Sequence, residues 1–198
     1  MKFYLKKAII GLVYLLFSAV TAYGVLFIPG LTWLKIILLI LNLSLYGYIL
    51  ASTAFQDGQA SYKVRMINDL NRQQIVLTGE DIPIDTQKEY RPYKGFIIGL
   101  VICVPLIVLL IIHLIVTSTN PLNQDFGVTA SFLYLSFYAF AGAKFGVDKV
   151  FASVSPYWTL IAIPVIVLIQ GLFFYLGGRK IELQQETIKE KHKILHGE

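Results

Sequence analysis

Few side chains in this protein could do chemistry at membrane depth. Its long apolar stretches hold Asn42, Ser44, His113 and Gln170, together with Lys35 and the single cysteine, Cys103. None of these is a carboxylate, whereas proton relays and cation pathways through a bilayer are built on Asp or Glu. Asn42 and Gln170 suit interhelical hydrogen bonds, worth about 0.6 kcal/mol each, with contact to a ligand as the alternative role. His113 lies about one turn from Thr117 and suits a hydrogen bond at the interface, or a pH-sensing role. One thiol makes no internal disulfide and no cysteine-rich metal site. Outside the apolar stretches, Glu80, Asp81 and Asp85 offer oxygen ligands but lack the alternating spacing and closing glutamate of a calcium loop. His192 and His196 share a helix face at i, i+4 spacing but have no further ligand near them for zinc. His-Glu-x-x-His, Gly-x-Ser-x-Gly and the phosphate-binding Gly-x-x-x-x-Gly-Lys-Ser/Thr are all missing from the sequence. The residues therefore assign no catalytic group, no metal site and no cofactor, and the expectation is a protein that is not an enzyme.

The elements that carry these groups follow from composition. The 198 residues are 56% hydrophobic and only 15% charged, with a mean hydropathy of +0.67. A soluble domain is about 25% charged. The net charge of +5 reads as basic anchors facing anionic lipid, not as a nucleic-acid footprint. The expected partners are the lipid bilayer and protein, with no nucleic acid.

A crossing needs about 20 mainly apolar residues to traverse a hydrocarbon core of about 30 Å. Four stretches qualify: 8–28, 31–54, 95–117 and 157–177. Their one ionised side chain, Lys35, sits a turn inside its span and can snorkel to the interface. A fifth stretch, 126–147, is rich in Phe, Tyr and small residues, and aromatic residues favour the membrane–water interface. The amino terminus carries three basic residues, the 55–94 loop six and the tail five. Four spans place all of them in the cytoplasm; five spans put the tail outside, against the positive-inside rule. The expected fold is thus an all-α polytopic bundle in the cytoplasmic membrane with both termini cytoplasmic. It has four full spans plus one re-entrant, interfacial or fifth spanning helix at 126–147. The divisions are a first hairpin at 1–54, a cytoplasmic loop at 55–94, a second membrane region at 95–178 and a tail at 179–198. The basic start, apolar run and small residues Val20 to Ala22 resemble a signal peptide, but apolarity continues to Ile28, so the first span is expected to be retained.

In the loop, Asp57 and Gly58 read as a break after the second span. Residues 59–77 then predict an amphipathic helix with Ala60, Val64, Ile67, Leu70 and Leu77 on its apolar face. It stops at Thr78 and Gly79, and Pro83 makes the following stretch extended. The helix either packs on the span ends or lipid surface, or presents Lys63, Arg65, Asp69, Arg72, Glu80 and Asp81 to a partner protein. Tyr90, Arg91, Tyr93 and Lys94 form an interfacial anchor at the start of the third span. Pro105 and Pro164 are expected to kink their spans. Gly95 and Gly99 permit close helix packing within the chain. In the tail, Ile181, Ile188 and Leu195 give one apolar position per heptad, short of a coiled coil, so a solvated helix continuing the last span is expected.

The flanks Tyr90, Arg91, Pro92, Tyr93, Lys94, Gly95 and Leu176, Gly177, Gly178, Arg179, Lys180, with the charged loop between the second and third spans, resemble those of small uncharacterised membrane proteins of Gram-positive-type bacteria. The resemblance implies no activity, cofactor or binding residue. The leading expectation is an accessory or assembly subunit of a membrane complex, contacting a protein partner through 59–94 and the tail. The alternative is a substrate-binding or permease-like component of a small-molecule transporter, with Asn42, Gln170 and 126–147 lining its site.

Overall fold

The structure is a computed structural model that describes residues 2–26, 32–119 and 159–196. Every regular element among them is a helix: α1 (Lys2–Leu26), α2 (Thr32–Thr78), α3 (Lys94–Thr119) and α4 (Thr159–His196). Runs of Leu, Ile and Val make up the apolar stretches of these helices. α2 ends where Gly79 takes a φ of 71° and its N–H donates to the Ile75 carbonyl at 2.9 Å, a left-handed cap that a Cβ would oppose. α3 and α4 run helically through Pro105 and Pro164.

The expected break at Asp57 and Gly58 is absent: α2 is one helix of 47 residues. A glycine inside a helix costs only about 1 kcal/mol, and here packing opposes the break. A Cβ on Gly58 would collide with the Phe174 carbonyl of α4, and one on Gly177 would collide with the Phe55 carbonyl of α2. The two glycines are the floor of a close helix crossing. α4 likewise continues without interruption for 38 residues into the tail.

Side-chain contacts fix the helix directions. Lys7 reaches Asp57, and farther along Asn42 Nδ2 donates to the Ser18 carbonyl at 2.9 Å, so α1 and α2 are antiparallel. Gly95 packs on Gln170 and Phe174, Gly99 on Val167, and the Cys103 thiol points to the Ile163 carbonyl, so α3 and α4 are antiparallel. Lys94 sits over the Tyr4 ring while Gly11 faces Ile102, which makes α1 and α3 parallel. The start of α1, Asp57, the start of α3 and the Gly177 crossing therefore gather at one end of the bundle. Leu15, Tyr46, Leu50, Ile98, Ile102, Cys103 and Ile166 form its core, with a second cluster of Ala54, Tyr90 and Phe174 at that end.

Outside this core the helices are apolar on their exposed faces too, with Val13 and Phe17 on α1, Leu41 on α2, Leu100 and Val104 on α3 and Leu168 on α4 turned outward. Two described stretches are long and apolar enough to cross a membrane, Trp33–Thr78 and Ile163–Lys191. That is fewer than the four or five expected. Lys94–Val104 is a shorter apolar stretch, and 126–147 lies outside the described residues.

Candidate functional site

All four helices contribute to a cavity of about 220 Å³ at the end of the bundle where α1 begins. α1 supplies Lys7, Ile10, Gly11 and Tyr14, α2 supplies Leu50, Thr53, Gln56 and Asp57, and Ile102 and Gln170 come from α3 and α4. Lys7 donates to Asp57 Oδ1, an ion pair that stays partly exposed. Thr53 turns its hydroxyl back onto the Ile49 and Leu50 carbonyls of its own helix, at 2.9 and 3.0 Å. Gln170 is only 3% exposed, and its Oε1 is buried with no hydrogen-bond donor. A buried acceptor left unpaired costs about 1–3 kcal/mol. The cavity wall mixes donors and acceptors: Lys7, Tyr14 and Gln56 can donate, and Thr53, Gln56 and Asp57 can accept.

The same end of the bundle carries an arm, made of α2 beyond Thr53, α4 beyond Gly177, and loop 79–93 folded back on α2. Asn68 clasps the loop with both ends of its amide: Nδ2 donates to the Asp85 carbonyl at 3.0 Å, and Oδ1 accepts from the Asp85 N–H at 3.2 Å. Arg72 grips Glu89 with two bonds of 3.1 and 3.0 Å and also reaches Asp69 at 2.8 Å. The guanidinium holds the Glu89 carboxyl below its ordinary value. Tyr90 donates its N–H to the Ser61 carbonyl at 3.1 Å and its hydroxyl to the Tyr175 carbonyl at 3.3 Å. Its ring stacks on Phe174 with centroids 5.6 Å apart, and burial pushes its phenol up to about 12. Lys94 is buried and donates to the carbonyls of Thr86, Gln87 and Glu89. Burial pushes its ammonium below the usual lysine value.

This arrangement corrects one expectation and narrows another. Tyr90 and Lys94 are not interfacial anchors but internal struts, because the loop's carbonyls need donors once they are covered. The apolar face of 59–77 does not pack on the span ends, which leaves the lipid-surface and partner readings. Ile67, Leu70 and Leu77 are exposed, whereas Ser61 and Asn68 are buried. The loop backbone requires polar partners, and α2 turns its polar side toward it.

Of the candidate contact residues, Arg65, Asp69 and Arg72 come together in a ladder, with Arg65 at 4.0 Å from Asp69. Arg72 is engaged inside the chain by Glu89. Lys63 is exposed on α2, and Glu80 and Asp81 are exposed on the extended stretch. Asn42 bonds to α1 through the Ser18 carbonyl and hydroxyl and the Thr21 hydroxyl. Gln170 lines the cavity, and His113 lies farther along α3 than Ile102. Lys7, Thr53, Asp57, Asn68 and Glu89 were not legible as functional residues. A lone charge after an apolar run was the one signal that Asp57 gave. Among the described residues, no cluster of three or more His, Cys, Asp or Glu could hold a metal ion.

No protein-family model, curated protein or solved structure matches the chain. The site must be read from its own geometry.

Proposed function

We propose that this is an integral protein of the cytoplasmic membrane, without catalytic chemistry, that serves as an accessory or assembly subunit and docks a protein partner on its arm. α1 and α3, of 25 and 26 residues, cross the bilayer together with α2 and α4, and the arm stands in the cytoplasm. The outward apolar faces of the helices support this, since a soluble monomer seldom exposes such contiguous surface. So does the concentration of basic residues at the amino terminus, loop and tail.

The observation that carries the docking role is the exposure of large apolar side chains on a braced arm. Val76 and Leu77 are 84% and 83% exposed and Leu70 is 61% exposed, with Ile67 and Ile188 also bare. Lipid does not cover them in this orientation. At 1.5 Å per residue, Val76 lies about 28 Å beyond Asp57 along a continuous helix, past the headgroup region of a bilayer about 40–45 Å thick in all. A protein partner is the occupant that reaches it.

The test is a photocrosslinking residue at Val76 in intact cells, read by mass spectrometry. A discrete protein adduct that disappears in Leu70→Asp/Leu77→Asp supports docking. Adducts with lipid alone, or protein adducts indifferent to those substitutions, contradict it. Both side chains are exposed, so the double variant should melt close to the wild type. The cavity at Gln170 favours a second reading, a substrate-binding component of a small-molecule transporter.

A further inference from the structure

We infer that the groove where α2 and α4 cross, bounded by Phe55, Leu176, Arg179, Lys180 and Leu183, is a binding site for a phospholipid with an anionic headgroup. It rests on the helices crossing a membrane, as proposed above, and not on a partner at the arm. The groove is open on one side and encloses about 510 Å³, within the range of small-ligand pockets. Its lining holds two cations, three large apolar side chains and no acid. Lys180 Nζ lies 5.6 Å from the centroid of the Phe55 ring and pairs with no carboxylate among the described residues. The aromatic face keeps the ammonium on the groove, and its charge is still to be met. Arg179 donates from Nη1 to Glu182 at 2.6 Å and leaves the rest of its guanidinium fork unspent. On the other side of the cations the groove continues into an apolar stripe. Leu168, Leu172 and Leu176 follow one another at four-residue spacing on α4, each about half exposed. Gly177 seats on the Phe55 carbonyl and Gly58 on that of Phe174, so Phe55 and Leu176 stand at the level of Asp57, where the apolar part of α2 ends. Arg179 and Lys180 lie about 4–6 Å beyond Leu176 along the helix, within the depth of one headgroup layer. A phosphodiester is thus matched by the two cations, and its acyl chains by Phe55 and the leucine stripe. A soluble anion would leave the apolar wall bare. A zwitterionic headgroup would bring an ammonium to a lining with no acid to receive it.

The full-length protein is extracted in detergent, and lipid retention is read by native mass spectrometry after equal additions of phosphatidylglycerol and phosphatidylcholine. Preferential retention of phosphatidylglycerol is expected. Arg179→Gln/Lys180→Gln should lower that preference about tenfold. Lys189→Gln/Lys191→Gln removes the same charge farther along the tail and should leave it unchanged. All four side chains are exposed, so both double variants should fold like the wild type. Leu183→Asp puts an acid in the groove without removing a cation and should give a comparable loss. Equal losses in the two double variants, or equal retention of both lipids by the wild type, overturn the inference. So does a thermal shift with glycerol phosphate as large as with phosphatidylglycerol, which marks a site for soluble anions. Capture of a protein instead of lipid by a photocrosslinking residue at Leu183 overturns it too. Carbonate washing of cell membranes separates the lipid site from the membrane crossing. A chain released by the wash overturns both, and a chain that stays but shows no preference for phosphatidylglycerol overturns the lipid site alone.

Discussion

Asn68 shows how a single side chain decides the arm. It is buried at 2% exposure, and its amide satisfies both backbone groups of Asp85. Asn68→Ala leaves those groups covered without partners, and the expected cost is about 1–3 kcal/mol, measurable as a lower melting temperature and as faster amide exchange confined to loop 79–93. Glu89 gives the arm a pH dependence. Its carboxyl lies below the ordinary 4.5 because Arg72 bonds to the charged form. The folded arm therefore holds fewer protons than the open one as the pH drops through that interval. The stabilisation is complete above pH 4.5 and is lost as the pH falls through the depressed value. Proteolysis of loop 79–93 should accelerate in that acid range, and Glu89→Gln should already cleave quickly at neutral pH. None of these pairings was legible in the sequence. Arg72 and Glu89, or Asn68 and Asp85, are partners across a chain reversal, and no local period links them. The local signals that were legible concern the backbone: the stop at Gly79 and the extended stretch at Pro83.

At the scale of elements, apolar run length was enough to locate the four described helices, because runs of about 20 apolar residues are too long for strands. It was not enough to trace α2 past Asp57. A locally weak dipeptide was overruled by a neighbouring helix that needs Gly58 without a side chain. The same packing yields a paired prediction. Gly58→Leu and Gly177→Leu should each lower thermal stability by about 1–3 kcal/mol through overpacking at the crossing. Gly47 has nothing within 4 Å of where its Cβ would stand, so Gly47→Ala should be neutral or raise stability by about 0.5–1 kcal/mol. Thermal melts of the three variants side by side check both claims. If all three behave alike, the crossing does not depend on its glycines.

For the whole molecule, the helix directions constrain the path of the chain. α3 and α4 are antiparallel, so the end of α3 and the start of α4 lie at the same end of the bundle. The proposed arrangement thus has four crossings by the described helices, with α2 and α4 projecting their shared arm into the cytoplasm. The most direct test starts from Cys103→Ser, which removes the one native thiol, and adds Gln73→Cys, Asn123→Cys or Gln185→Cys singly. Intact cells are treated with a membrane-impermeant thiol reagent. The account predicts labelling of Asn123→Cys in intact cells, and of Gln73→Cys and Gln185→Cys only after permeabilisation. Labelling of Gln185→Cys in intact cells while Gln73→Cys stays protected would contradict it, because the two halves of the arm would then lie on opposite sides of the membrane.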